Sequence, residues 1–301
     1  MQDIYLYGMI LVTNSFLLQD VYPQPDTYGE IQEKYSLPGG ETGTCATVLA
    51  NLGVQVKMDG NHMGKNTYPM IEAFYKDKCV DITSLYYDKA YEGLEDYVLI
   101  DKNTRTPFGS FQHYYGDAIK RWNKPKREDV KHAQVVGLDP FFGDETLAVA
   151  SICHEMNKPY VTIDCPYDES VHQWSTINVL SNEFIGMHYK DCNREELFKT
   201  YTERSNGLVI FTLGANQIMY GRKGEAPKYF TPYKVEVVST LGAGDTFKAG
   251  CIYGLLKKMS DLEIVQFASA LAGVAISRFP LPLNPPTLEE VQALIKAHNE
   301  A

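Results

Sequence analysis

The chain has 301 residues, 44% of them hydrophobic and 22% charged, which allows a substantial buried core and excludes a grossly disordered polypeptide. Its net charge of −10 argues against nucleic acid or an anionic membrane as the main partner, although backbone donors can still hold a phosphate locally. Six cysteines show neither a C-x-x-C pair nor zinc spacing and are expected to be free thiols in a reducing cytoplasm, and no apolar run reaches the roughly 18 residues of a membrane-spanning helix.

Residues 4–12 are an apolar run rich in β-formers; no Lys or Arg precedes it, so it reads as a buried strand and not as a signal peptide. Residues 28–37 alternate, with Ile31, Glu33, Tyr35 and Leu37 on one face. Residues 42–52 place Cys45, Val48, Leu49 and Leu52 on one helical face. Residues 97–111 read as two strands around a turn at 101–107. The segments 28–37 and 97–113 are expected to form a small β-lid, a possible dimer surface, with Arg105 and His113 mostly solvated. The basic stretch 120–131 is interrupted by Glu128 and Asp129 and reads as a solvated face.

Beyond it, strand and helix patterns alternate. Strands are expected at 133–138, 160–163, 177–180 and 208–213, and helices at 146–156, 194–204, 247–258, 262–278 and 288–297. Repeated strand–helix units imply an α/β fold, a mostly parallel sheet flanked by helices, with ligands beyond the carboxyl ends of the strands. With no linker and no repeat, residues 1–301 read as one domain carrying the lid.

The run Ser239-Thr240-Leu241-Gly242-Ala243-Gly244-Asp245 is expected to join a strand to a helix. Its glycines permit a tight turn and close approach to a ligand, and the free N–H groups of the helix start can stabilise a phosphoryl group gaining charge. Asp245, in the first helical turn, can take the proton of an attacking hydroxyl; it can equally be a structural carboxylate at a helix start. Neither a G-x-x-x-x-G-K-[ST] loop nor a G-x-G-x-x-G fingerprint occurs.

These residues resemble the ribokinase-like (PfkB) carbohydrate and nucleoside kinases, whose C-terminal signature is Asp-Thr-x-Gly-Ala-Gly-Asp. Pro38-Gly39-Gly40, Ala46 and Leu52-Gly53 are similar to that family's N-terminal glycine pattern, and Thr212-Leu213-Gly214 resembles its nucleotide-side strand end. The resemblance implies ATP with Mg2+ as donor, an anion hole of Gly242, Ala243 and Gly244, and Asp245 as base. It implies nucleotide contacts from Thr212, Gly214, Thr240 and Asn182, and acceptor contacts from Asn14, Gly39, Gly40, Glu41, Thr44 and Asp139. Asp164 ends a strand at a cleft-facing position of the family.

Departures are specific. Ser239 replaces the Asp associated with a monovalent-cation site, Thr44 replaces an Asn, and Ile185 lacks the second carboxylate of an Asn-x-x-Glu motif. No residue is assigned as a metal ligand. The function implied is phosphorylation of a hydroxyl on a sugar, sugar derivative or nucleoside. A vitamin-like or aminosugar acceptor, with Glu41 meeting an amine, is one alternative; a non-catalytic nucleotide or sugar sensor on the same scaffold is another.

Overall fold

The computed structural model of the protein describes residues 2–299. The apolar N-terminal run does not make one strand. β1 (Ile4–Gly8) lies inside a large sheet, and β2 (Leu11–Leu18) belongs to a second one. The break has a cause: at Met9 and Ile10 side chains take over the backbone hydrogen bonding. The Met9 N–H donates to Asp139 Oδ2 (2.9 Å), the Ile10 N–H donates to Asn61 Oδ1 (2.7 Å), and Asn61 Nδ2 donates to the Ile10 carbonyl (2.7 Å).

β3 (Ile31–Gly39) pairs antiparallel with β2 and runs directly into α1 (Gly40–Asn51). β4 (Val56–Gly60), α2 (Tyr68–Tyr75) and the short β5 (Val80–Asp81) follow. β6 (Glu95–Ile100) pairs parallel with β2 and antiparallel with β7 (Arg105–Gly109), giving the second sheet the order β3-β2-β6-β7. Residues 111–113, expected in the lid strands, instead open the helix α3 (Phe111–Gly116).

The chain then alternates as expected: α4 (Arg127–His132), β8 (Val135–Leu138), α5 (Asp144–Glu155), β9 (Tyr160–Ile163), α6 (Ser170–Gln173), β10 (Ile177–Ser181), α7 (Asn182–His188), α8 (Arg194–Glu203) and β11 (Leu208–Thr212). A hairpin of β12 (Ile218–Gly221) and β13 (Lys228–Phe230) closes one edge. The helices α9 (Ala243–Leu256), α10 (Asp261–Ile276) and α11 (Leu288–Asn299) end the chain. The large sheet runs β13-β12-β11-β10-β9-β8-β1-β4-β5, parallel from β5 to β11 and antiparallel at the hairpin.

Both faces of that sheet are covered. Ile4 and Leu6 of β1 pack into one hydrophobic cluster with α1, α9 and α10, while Tyr5 and Tyr7 pack into another with α5. Alternation along one strand serving two cores explains why β1 is apolar at every position.

The strand expected before Gly242 is absent. β13 ends at Phe230, and residues 231–242 are an irregular loop. The N–H groups of Val238 and Ser239 both donate to the Ile276 carbonyl, at 2.8 and 3.1 Å, so the end of α10 anchors the loop in place of a neighbouring strand. No helix among the described residues is long and apolar enough to cross a membrane, and all six cysteines are free.

Candidate active site

The loop delivers Gly242 in the left-handed conformation (φ 78°) at the start of α9. A methyl there would press on Leu281 and Thr44, so both the backbone angle and the available space call for glycine. The Ala243 N–H donates to the Thr240 carbonyl (3.2 Å), and the Thr246 N–H and hydroxyl both donate to the Gly242 carbonyl (2.9 and 2.7 Å). The N–H groups of Gly244 and Asp245 have no protein acceptor among the described residues, as the start of a helix requires. They open on a cleft of about 640 Å³ between the two sheets, within the size range of small-ligand sites.

Gly39, Gly40, Glu41 and Thr44, from the end of β3 and the start of α1, share this cleft with Gly242, Ala243, Gly244 and Asp245. Asp245 is half-buried, and desolvation first, then the charge of Asp139, pushes its carboxyl up to about 6. Lys248 and Arg105 pull in the opposite direction. Desolvation, and then the nearby Asp245 and Asp139, hold the Glu41 carboxyl well above the usual range.

Asp139 is fully buried and outside the cleft wall. Lys248 Nζ, also fully buried, donates to its Oδ1, while the Met9 N–H and the Thr42 hydroxyl (2.8 Å) donate to its Oδ2. Its oxygens are therefore engaged by protein, which places it behind the site and not in contact with an acceptor. A Cβ at Gly8 would overlap this carboxylate, so β1 has glycine at that point.

Asn14 is also placed differently from its expected role. On β2 the alternating residues Leu11, Thr13 and Ser15 line the cleft. Asn14 points to the other face, where its Nδ2 donates to the Asp96 carbonyl (3.4 Å) and its Oδ1 accepts from the Ser36 hydroxyl (2.6 Å). Asn182, Thr212 and Gly214 lie at or just past the ends of β10 and β11, outside the cleft. Asn182 accepts from Arg194 (3.2 Å), and the Thr212 hydroxyl donates to the Leu180 carbonyl (3.3 Å). Gly214 has φ 65° and open space where a Cβ would sit.

Arg105 corrects a third expectation. It is not simply solvated: from β7 it crosses the cleft to Thr240 Oγ1 (3.2 Å) and Glu183 Oε2 (3.5 Å). His113 is exposed, as its position suggested. Ser239 is buried and its hydroxyl accepts from the Leu241 N–H (3.2 Å), so it braces the glycine loop. Ile185 is fully buried in a hydrophobic cluster.

Residues that the sequence reading passed over include Lys248, Asp96, Thr13 and Ser15. A lone lysine inside the apolar run of α9 was a legible signal, because lysine is almost never fully buried without a partner. Asp96, on β6, carried no motif.

For Mg2+, no group of three His, Cys, Asp or Glu side chains suited to a metal ion occurs among the described residues. Asp164 and Glu183 do line the cleft near the glycine loop. Asp164 accepts from the Ser181 N–H (2.7 Å) and hydroxyl (2.9 Å), and burial pushes its carboxyl up to about 6. Such a wall suits an ion held mainly by phosphate oxygens and water.

A helix start with free N–H donors and a carboxylate in its first turn, in a cleft closed by a second sheet, suit a phosphoryl group with a hydroxyl beside it. The chain matches the pfkB family carbohydrate kinases over residues 6–288, and it belongs to that family. It is 25% identical over 274 residues to a ribokinase of Lactococcus lactis, covering 86% of each chain. It is 28% identical over 292 residues to a 5-dehydro-2-deoxygluconokinase of Clostridium perfringens, covering 87% of this chain and 85% of that one. Its fold superposes on the Arabidopsis thaliana ribokinase complexed with ribose and ATP with a TM-score of 0.80 at 19% identity, covering 98% of this chain and 99% of that one. The protein is thus an ATP-dependent kinase of the carbohydrate kinase class.

Proposed function

We propose that this kinase transfers the γ-phosphoryl of ATP to a hydroxyl of a sugar, sugar derivative or nucleoside, with Asp245 as the base. The observation that carries the reading is the coincidence, in one helical turn, of Asp245 with the free N–H groups of Gly244 and Asp245. The carboxylate takes the hydroxyl proton while the donors stabilise charge on the phosphoryl oxygens. Burial, by raising the Asp245 carboxyl to about 6, makes it a better base than a solvated carboxylate while leaving it ionised at neutral pH.

Gly39, Gly40, Glu41 and Thr44 would position the acceptor; Thr240, Asn182, Thr212 and Gly214 would lie along the nucleotide. Asp164 and Glu183, on the cleft wall, would help hold Mg2+, which would supply neutralisation of phosphate charge. The second sheet would act as a lid that keeps water from the phosphoryl group. Its outer face exposes Tyr97 and its register partner Phe108, which suits a homodimer contact. The reaction would take place in the cytoplasm, on a free small molecule.

The test is ADP release with ATP, Mg2+ and a broad panel of sugars, sugar derivatives and nucleosides. Turnover above acceptor-free hydrolysis with at least one of them is expected. Binding of ATP and acceptors without turnover across the panel would overturn the reading in favour of a sensor.

A further inference from the structure

The second sheet contributes more than cover. Asp96 sits on β6 in register with Thr13 of β2, and both side chains line the cleft. Around them that wall is largely apolar, with Leu11, Leu37 and Val98. Asp96 Oδ1 is closed off from solvent and has no hydrogen-bond partner among the described residues. Other buried polar atoms also lack partners, on Thr162, Asn178, Arg194 and Tyr233, but Asp96 alone among these residues belongs to the cleft wall. An ionised carboxylate with an unsatisfied oxygen is a costly thing to keep in an apolar wall. The carboxylate as a whole is under-satisfied and borders the cleft, where a ligand can approach it.

We propose that Asp96 is a specificity-determining residue that accepts a hydrogen bond from a hydroxyl of the acceptor, and that this position rejects acceptors presenting a carboxylate or phosphate there. The proposal rests on the kinase reading above and adds the chemistry of the acceptor's far end. Burial, partly offset by the Thr13 hydroxyl, raises the carboxyl to about 6, so at neutral pH the group is mainly ionised and then accepts only. A neutral hydroxyl then satisfies it, while an anion would meet like charge in a desolvated site.

The experiment compares the wild-type chain with Asp96→Ala and Asp96→Asn, using the best neutral acceptor of the panel and its singly deoxygenated analogues. Asp96→Ala is expected to fold, because it removes an unsatisfied group. It should lower kcat/KM for the acceptor by roughly 10- to 100-fold, the usual range for a lost hydrogen bond to a charged partner, mainly through KM. The KM for ATP should stay within about twofold. Asp96→Asn, which keeps an accepting oxygen, should recover part of the loss. One deoxy analogue should lose activity with the wild type and lose nothing further with Asp96→Ala. An unchanged acceptor KM in Asp96→Ala, or full additivity with every analogue, overturns the assignment while the kinase reading stands. A wild-type chain that phosphorylates no member of the panel overturns the kinase reading itself.

Discussion

Lys248 and Asp139 form an ion pair from which solvent is completely excluded, one helical turn beyond Asp245. Asp139 also holds the Met9 N–H at the point where the chain leaves the large sheet for the second one, and it holds Thr42 at the start of α1. One buried pair therefore ties α9, the exit of β1 and the start of α1 together. Breaking such a pair leaves a buried charge uncompensated. Lys248→Met is expected to cost about 3–5 kcal/mol of stability, and the double variant Lys248→Met/Asp139→Asn less than the sum of the single changes. Denaturant titration of the three variants checks this; strict additivity would contradict the coupling.

Asp245→Asn should lower kcat by about 10²–10⁴-fold, as expected for loss of a general base. Its effect on stability should depend on pH. Because desolvation raises the Asp245 carboxyl from 3.8 to about 6, the folded state holds that proton more tightly than the unfolded chain, so this group's stability is intact below 3.8, falls as the pH rises from there to about 6, and is fully lost above it. The asparagine variant should then melt at or above the wild-type temperature at pH 7–8, an advantage that disappears near pH 4, where both carry a neutral side chain. A melting temperature well below wild type at pH 8 would show that Asp245 is structurally required.

The pH dependence of kcat/KM gives a second reading of the same group. Activity should fall about tenfold per pH unit on the acid side of a limb near 6, since the base must be ionised. Lys248 and Arg105 favour the ionised form, so Arg105→Ala and Lys248→Met should each move that limb to higher pH. A limb that stays in place in both variants would remove Asp245 as its source.

The two glycines at 242 and 244 should respond differently. Gly242→Ala forces a side chain into a left-handed backbone and against Leu281 and Thr44, and should cost roughly 1–2 kcal/mol of stability. At Gly244 a Cβ would meet only Ile163 Cδ1, at 3.8 Å, so Gly244→Ala should fold normally. The added methyl would instead crowd the open N–H groups, with an expected loss of about 10²-fold in kcat. Thermal melting and turnover measured on both variants separate the two effects; an active Gly244→Ala would remove the loop from phosphoryl stabilisation.

Much of the fold could be read along the chain. The alternation of apolar strands with amphipathic helices placed β8 to β11 and the last three helices within a few residues of where they lie. Residues 28–37, by their period of two, and 97–111, as two strands around a turn, were recognisable as strands off the main rhythm, but residues 111–113 of the expected lid form a helix. The N-terminal run was misread as one strand because its composition does not change at Met9. The break comes from Asp139 and Asn61, which are remote in sequence. The strand expected before Gly242 failed for a similar reason: the β-branched residues Val235, Val237 and Val238 have strand propensity, but no partner strand lies beside them.

The sequence by itself determined the chemistry of the loop at 242–245: glycines for a turn, a helix start for donors and a carboxylate within its first turn are local properties. It also determined the alternating architecture, since hydrophobic period is local too. Only the tertiary structure decided which polar residues share the cleft. It turned Asn14 away and Thr13 toward it, sealed Asp139 behind Lys248, brought Arg105 across from the second sheet and left Asp96 with an oxygen to satisfy. Facing direction on a strand, and burial of a charge against a partner about a hundred residues away, are set by packing and hydrogen bonding between distant segments, which no local pattern encodes.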